Sequence, residues 1–544
     1  LLEAVFTLIQ SEEEKIFSKA YQLLIICIDT CYFQMIGYME NIEEITHNDL
    51  QSGNAERQVE ACLLWKYVAE VESDILNPDK ESVKKKHLDN TSMVLLKADD
   101  DVVLFSKWAF DNLFDILVEL MCGVDPNETD VQTISERTPQ QAALACMDLL
   151  IKAIKRDALP RIYEFVEQNS SSEDWRIRYG TAILLNGASQ DLNNDDYKNI
   201  LVAFDFFVHA IADDVPRISD VAMQALARLI NKFPDLILNQ DLFGNLCESA
   251  AGKMNSDALA SRACWLLSIC FSKFSKDDEE SPLVANFEKF SELLLECADK
   301  YDDEAPDAAF SALVKLLENT PSTIADQYNK LFEMITAKLQ FLIAQHQSES
   351  DRNNEKYTQM MIGLLTLVHH IIMNVGPMIS NISDQLMEML NEALDFQNGN
   401  LVSEILPAMG AIARAIQSDF TKFIPSLIEK VYAYLEKGEF IEPAATFIGD
   451  IFNSSPDPPF PDDLVEKIVG VLSDVLSNDS QRPRTRIFVF SALANIAFYI
   501  GEKCESWIGG YLDSLEAEAK SLLSDNNTVD HEDAQSFTLE CINI

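Results

Sequence analysis

Apolar side chains recur along most of this chain at intervals of three and four residues, the spacing that lays a stripe along one face of an α-helix. A longer rhythm is laid over the short one. The segments Asp174-Trp-Arg-Ile-Arg-Tyr-Gly-Thr-Ala-Ile-Leu-Leu, Val215-Pro-Arg-Ile-Ser-Asp-Val-Ala-Met-Gln-Ala-Leu and Asp257-Ala-Leu-Ala-Ser-Arg-Ala-Cys-Trp-Leu-Leu-Ser superpose at a constant interval. Arg178, Ser219 and Ala260 then share one column (219 − 178 and 260 − 219 are both 41), and Ala222 and Ala263 share another. Two helical stripes per interval predict about twelve antiparallel helix pairs, each an outer helix followed by an inner one. They are placed at 1–35, 36–73, 100–156, 157–190, 195–233, 239–275, 282–319, 321–374, 376–416, 419–454, 460–501 and 504–544. Several starts are written locally. Thr138-Pro139-Gln140-Gln141 offers a capping hydroxyl, a proline at the first helical position and a glutamine three residues after the cap. Pro306, Pro321, Pro377 and Pro461 mark further starts.

A period near 40 with two helices per unit is the mark of HEAT-type repeats, which stack into long surfaces that bind macromolecules. The expected fold is therefore all-α: a right-handed superhelical solenoid of HEAT-type pairs occupying 1–544 as a single array. An exposed connection is expected at about 74–100, where Lys84-Lys85-Lys86 precedes Asp99-Asp100-Asp101, and a polar loop at about 124–138. With 17 Gly and 18 Pro in 544 residues and 47% hydrophobic side chains, composition opposes β-rich or low-complexity architecture.

Charge changes the picture more. Against 42 Lys and Arg stand 89 Asp and Glu, a net charge of −47. Such a surface repels nucleic acid and anionic membranes and draws basic partners. Eleven cysteines are scattered without a C-x-x-C pair, which fits free core thiols in a reducing compartment. No stretch is expected to reach the uninterrupted apolar length that spans a bilayer: the best candidates, Leu23–Phe33 and Leu201–Ala212, are broken by Asp29 and by Asp205 and His209, so no membrane insertion is expected. Neither end carries a polar capping repeat, so the chain is expected to be a fragment of a longer protein.

Sites of chemistry do not emerge. There is no phosphate-binding G-x-x-x-x-G-K-[ST], no G-x-G-x-x-G, no G-x-S-x-G and no H-E-x-x-H. Adjacent His369 and His370 point to different helix faces, and the Lys84–Lys86 run is a weak nucleic-acid signal in so acidic a chain. No catalytic residue, cofactor or metal is expected.

Several blocks, in order along the chain, resemble the importin-β (karyopherin-β) family of nuclear import receptors. Leu64-Trp65-Lys-Tyr-Val-Ala-Glu70-Val-Glu72 is similar to the family's F-W-x-x-V-x-D-x-E, and Ser172-Glu-Asp-Trp-Arg-Ile-Arg-Tyr to its N-P-D-W-R-x-R. Ser261-Arg-Ala-Cys-Trp265-Leu-Leu-Ser resembles S-N-V-C-W-x-x-S. Ala444-Ala-Thr-Phe-Ile-Gly449-Asp450-Ile and Phe490-Ser-Ala-Leu-Ala-Asn-Ile-Ala-Phe-Tyr-Ile-Gly501 follow in the family's order. The resemblance covers the middle and late repeats; the first repeats and the extreme C-terminus would be missing.

It implies a receptor that binds basic nuclear-localisation segments, or an importin-α-like adaptor, on an acidic concave face lined by inner helices. It also implies Phe-Gly nucleoporins on the outer helices, Ran-GTP on the full-length protein, and traffic between cytoplasm and nucleus through the nuclear pore complex. Tryptophans on inner helices suit this, because indole faces take the stems and charges of Lys and Arg. The expected cargo or adaptor contacts are Trp65, Glu70, Glu72, Asp220, Gln224, Ser261 and Trp265. Trp175 and the pair Phe206-Phe207 read instead as packing residues. The sequence also departs from the family: residues 124–138 lack the run of aspartates and its tryptophan, Gln224 replaces a tryptophan, and Arg262 puts a cation beside Trp265. The competing reading is a HEAT scaffold for a phosphatase or a vesicle coat.

Overall fold

The computed structural model describes residues 2–76, 105–124, 138–301, 304–346, 355–396, 398–455, 459–476 and 481–501. Among these residues every regular element is helical, and each of the first eleven expected ranges holds two helices. Of the connection expected at about 74–100 only 74–76 is described, and it continues the Ala55–Leu76 helix. Of the loop at about 124–138 only Val124 and Thr138 are described, and the pair at 504–544 lies outside the described residues. The chain divides into two compact units, Leu1–Cys270 and Phe271–Ile544.

Local chemistry sets the helix ends. Thr138 caps the Pro139–Ile154 helix as its pattern predicts, its hydroxyl accepting from Gln141 N with proline at the first helical position. Asp174 accepts from Arg176 N at the start of Trp175–Ser189, which leaves Trp175 half-buried at the cap. Asn239 and Asn398 cap Gln240–Lys253 and Gly399–Ile416 in the same way.

Within each unit the helices form two layers. In the first unit the second helices of successive pairs, such as Ala55–Leu76 with Pro139–Ile154 and Trp175–Ser189 with Pro216–Lys232, pack against one another. Their partners, such as Tyr197–Ile211 and Gln240–Lys253, form the other layer. Small residues allow the close approach: Ser219, Ala222, Ala260 and Ala263, the columns visible in the sequence, are fully buried. The Ser219 hydroxyl donates to Ile211 O at 2.8 Å, tying the second helix of its pair to the end of the first. In the second unit a methyl group added at Gly363 would fall inside the Phe310 ring, and one at Gly410 would displace the Asp450 carboxylate. These glycines let neighbouring second helices nearly touch.

The sequence interval reappears as bonding. Polar links between consecutive repeats join residues one repeat apart: Ser18 to Glu60 (2.8 Å), Arg228 to Asn186 (3.1 Å) and Arg262 to Asp220 (2.8 Å), each 42 residues apart. Thr366 to Glu404 and Thr485 to Glu442 follow at separations of 38 and 43 in the second unit. A repeat of this kind has no complete core of its own, so its stability lies in these interfaces. The expectation that no stretch approaches membrane-spanning length is corrected at one helix. Glu355–Asn381 is apolar and long enough to cross a membrane by length and composition, with mean hydropathy 1.6. It serves here as a core helix, burying Met361, Leu364, Leu365, Val368 and Ile371 between Ala305–Glu318 and Gly399–Ile416.

Candidate functional site

Two of the expected cargo contacts turn inward. Trp65 is completely buried on the Ala55–Leu76 helix; its indole N–H donates to Thr46 Oγ1 at 2.9 Å and its ring lies 5.5 Å from that of Trp108. Its ring faces cannot receive a cation from solvent. Glu72, 2% exposed, accepts from the backbone N–H of Phe105 (2.8 Å) and Ser106 (3.0 Å) and from the Tyr32 hydroxyl. It caps the Phe105–Met121 helix from another helix, and burial pushes its carboxyl up despite these donors. Glu70, two residues earlier on the opposite face, is exposed.

Three others are brought together, with an intruder. Asp220 accepts from Arg262 Nε at 2.8 Å through one oxygen and from Gln224 Nε2 at 2.7 Å through the other. The Arg262 guanidinium then lies 5.1 Å from the centre of the Trp265 ring, and Trp265 is 38% exposed. Gln224, Asp220, Arg262 and Trp265 thus form one connected row across two second helices. The cation expected from a cargo is already supplied by the chain itself. Ser261, half-buried, stands one turn before Trp265.

The sign of the charge on this layer departs from expectation. The second helices Pro139–Ile154, Trp175–Ser189, Pro216–Lys232 and Ala260–Phe271 carry seven basic side chains and two acidic ones. The alternating first helices, Phe105–Met121, Leu159–Asn169, Tyr197–Ile211 and Gln240–Lys253, carry eight acidic and four basic. Over this stretch the helices of the first layer carry the acidic excess, while Arg176 and Arg178 on the second layer are paired with Asp174 and Asp213. A groove of 680 Å³ in the basic layer is lined by Lys152, Tyr179, Arg217, Asp220, Gln224 and Arg228 over an apolar floor. Arg217, Val221, Gln224 and Arg228 lie at i, i+4, i+7 and i+11, a one-face helical spacing that the sequence itself carries.

The other layer has its own groove, of 890 Å³, between the first helices Leu159–Asn169 and Tyr197–Ile211. Pro160, Val166, Val202, Phe206 and Ile218 supply its apolar lining and Glu164, Glu167, Asp205 and Asp213 its charge. Val202 is 45% exposed. Phe207 is core, as expected of the pair, whereas half-buried Phe206 faces this groove. Arg178 pins the far end, donating to both Asp213 oxygens at 2.8 and 3.0 Å.

Among the described residues no group of three His, Cys, Asp or Glu side chains could hold a metal. His369 and His370 are half-buried; His369 Nδ1 lies 3.1 Å from Pro407 O, and His370 sits 3.9 Å from Glu318. Among the described residues no cysteine is in a disulfide, and burial pushes the Cys62 thiol up to about 12.

The family model for the importin subunit beta-1-like TPR repeats matches residues 246–537, more than half of the chain. The chain belongs to the importin-β family. It is 23% identical to importin subunit beta-1 of Arabidopsis thaliana over 539 residues, covering 94% of this chain and 59% of that protein. With importin subunit beta-1 of Schizosaccharomyces pombe the identity is 21%, over 95% of this chain and 60% of the relative. The importin-β-type chain therefore spans about three fifths of the length of these curated relatives. A crystal structure of importin β superposes with TM-score 0.77 at 18% identity, covering all of this chain and 62% of that one. Yeast importin-β (Kap95p) gives 0.72 at 17%, over 100% of this chain and 62% of its own. At such identities the superpositions speak for the fold, the stacked helix pairs of the family's HEAT repeats.

Proposed function

We propose that this chain is the middle-to-late portion of a nuclear import receptor that works by binding and not by catalysis. The observation that carries this is family membership, joined to an apolar groove on the first-helix layer suited to Phe-Gly repeats. Among the related structures, Kap95 has been solved in a complex with Nup1, and Kap95p binding has been described as switching the loops of RanGDP to the GTP-bound conformation. By that likeness the full-length protein takes Phe-Gly nucleoporins, Ran-GTP and basic cargo or an importin-α-like adaptor. It shuttles between cytoplasm and nucleus.

The groove between Leu159–Asn169 and Tyr197–Ile211 has the size and lining for a phenylalanine side chain: an apolar floor reached past half-exposed Val202, with Phe206 and Pro160 beside it. Of the cargo contacts expected from sequence, Glu70, Ser261 and the exposed part of Trp265 remain within reach of a basic segment. Asp220 and Gln224 reach it only after exchanging their bonds with Arg262 and each other.

Titration of a fluorescent Phe-Gly repeat peptide into the chain tests the reading, with Val202→Asp as the variant. Val202 is exposed enough that the change spares the core. Binding is expected in the native chain, with a loss of about tenfold or more in the variant, since a carboxylate in the mouth must be desolvated by the ring. Native-level binding by the variant would remove this groove from the proposal. No binding by either chain would remove the receptor reading from this fragment.

A further inference from the structure

We infer that the groove between Leu159–Asn169 and Tyr197–Ile211 selects among Phe-Gly segments. It accepts those with Lys or Arg beside the phenylalanine and disfavours those with Asp or Glu there. The inference rests on the receptor reading above and adds a specificity to it, with Glu167 and Asp205 as the residues that set it. Both walls carry carboxylates on the same face as the apolar lining. Pro160, Glu164 and Glu167 stand at i, i+4 and i+7 on one helix, and Val202, Asp205 and Phe206 at i, i+3 and i+4 on the other. The walls are braced in place. The Tyr163 hydroxyl donates from one helix to Asn199 O on the other at 3.2 Å, and Arg178 holds Asp213 just past the end of Tyr197–Ile211. A groove fixed in this way loses little freedom when a ligand enters.

The lining is acidic in excess. Four carboxylates, Glu164, Glu167, Asp205 and Asp213, share it with the Arg178 guanidinium and the His209 ring. Arg178 is engaged: besides both Asp213 oxygens it donates to Ser172 O (2.9 Å) and Glu173 O (3.3 Å). Glu164 lies 3.7 Å from Arg161, which Asp115 holds more closely at 2.8 Å. Asp205 meets His209, whose Nδ1 is 3.6 Å from the carboxylate and 2.8 Å from the Asp205 main-chain oxygen. Glu167 is exposed and has no ion-pair partner among the described residues. A phenylalanine seated on the floor therefore sets its neighbours between Glu164 and Glu167 on one side and Asp205 on the other. Lys or Arg in those places is attracted, and Asp or Glu is repelled by the same groups, so discrimination comes from both effects. The carboxylates are solvated, which keeps the effect moderate and sensitive to salt.

The probes are fluorescein-labelled Phe-Gly peptides of equal length, titrated by anisotropy into the whole chain. They carry Ser, Lys or Glu beside the phenylalanine, and a further Lys peptide has alanine in place of the phenylalanine. At low salt the Lys peptide should bind about fivefold more tightly than the Ser peptide, and the Glu peptide more weakly than either, because an exposed ion pair contributes up to about fivefold. High salt should bring the Lys-to-Ser ratio within about twofold. Glu167→Gln with Asp205→Asn should abolish the preference. Glu429→Gln with Glu436→Gln, an equal charge change on the Ile424–Lys437 helix, should keep it. All four positions are exposed, so circular dichroism should show both double variants folded. The alanine peptide should bind more weakly than its parent by about tenfold or more. Binding of the Ser peptide with no preference for Lys would overturn the inference and leave the receptor reading standing. If no phenylalanine peptide binds, the receptor reading fails for this fragment and takes the inference with it. Equal binding by the alanine peptide, or equal loss of preference in both double variants, would overturn the inference by showing that only net charge is read.

Discussion

Replacing Glu72 with alanine separates a structural carboxylate from a cargo-binding one. In the native chain its two oxygens accept from Phe105 N and Ser106 N, the leading donors of the Phe105–Met121 helix, and from the Tyr32 hydroxyl. All three partners lie in an interior from which water is excluded. Leaving a buried donor unsatisfied costs about 1–3 kcal/mol, and losing a helix cap about 0.5–2 kcal/mol. The carboxylate is itself penalised by burial, and removing it returns part of that loss. The balance is a destabilisation of about 3 kcal/mol, felt where the helices Ala55–Leu76 and Phe105–Met121 meet. Amide hydrogen exchange is the right assay, because a repeat array need not unfold in one step. Protection across 105–121 should fall by about a hundredfold, while helices of the second unit such as Ile424–Lys437 keep theirs. Glu70→Ala, two residues away but exposed, should change protection little and bear only on binding of a basic peptide. Unchanged protection in Glu72→Ala, with a loss of basic-peptide affinity, would refute the cap and restore Glu72 to the binding surface.

Two further outcomes follow from the packing of the second unit. Gly363→Ala forces a methyl group into the Phe310 ring and should destabilise that unit by about 1–3 kcal/mol, read as lost exchange protection in Glu355–Val375; Phe310→Leu in the same chain should recover part of it. Asp450, seated on Gly410 and paired with Arg414 at 2.6 Å, has its carboxyl pushed up to about 6 by burial, which outweighs the arginine. A folded-state value above the unfolded one favours the protonated form. Its contribution to stability is whole below about pH 4 and is lost as pH rises through about 6, a change of about 3 kcal/mol. Asp450→Asn cannot titrate, so its melting temperature relative to native should rise between pH 5 and pH 8; a relative fall would show the ionised pair to be stabilising.

How much of this could be read without coordinates differs by kind of feature. The 41-residue interval, the helix pairs and the caps at Thr138 and Asp174 are local or repetitive facts, and helix geometry converts them directly into structure. The resemblance at Trp65-Lys-Tyr-Val-Ala-Glu70-Val-Glu72 located the right family and the right helix. It did not say which way the helix was turned. Residues two apart on a helix face nearly opposite ways, so Glu70 meets solvent while Glu72 reaches Phe105, a partner 33 residues away that no local pattern announces. The same holds for charge. A total of −47 is a property of the sequence, but its division between layers is not. Only stacking assigns alternate helices to one side, gathering Lys152, Arg217 and Arg228 on one layer and Glu164, Glu167 and Asp205 on the other. Fold followed from periodicity, because each helix carries its own stripe; the sites depended on which residues of different repeats the stacking brings within a few ångströms.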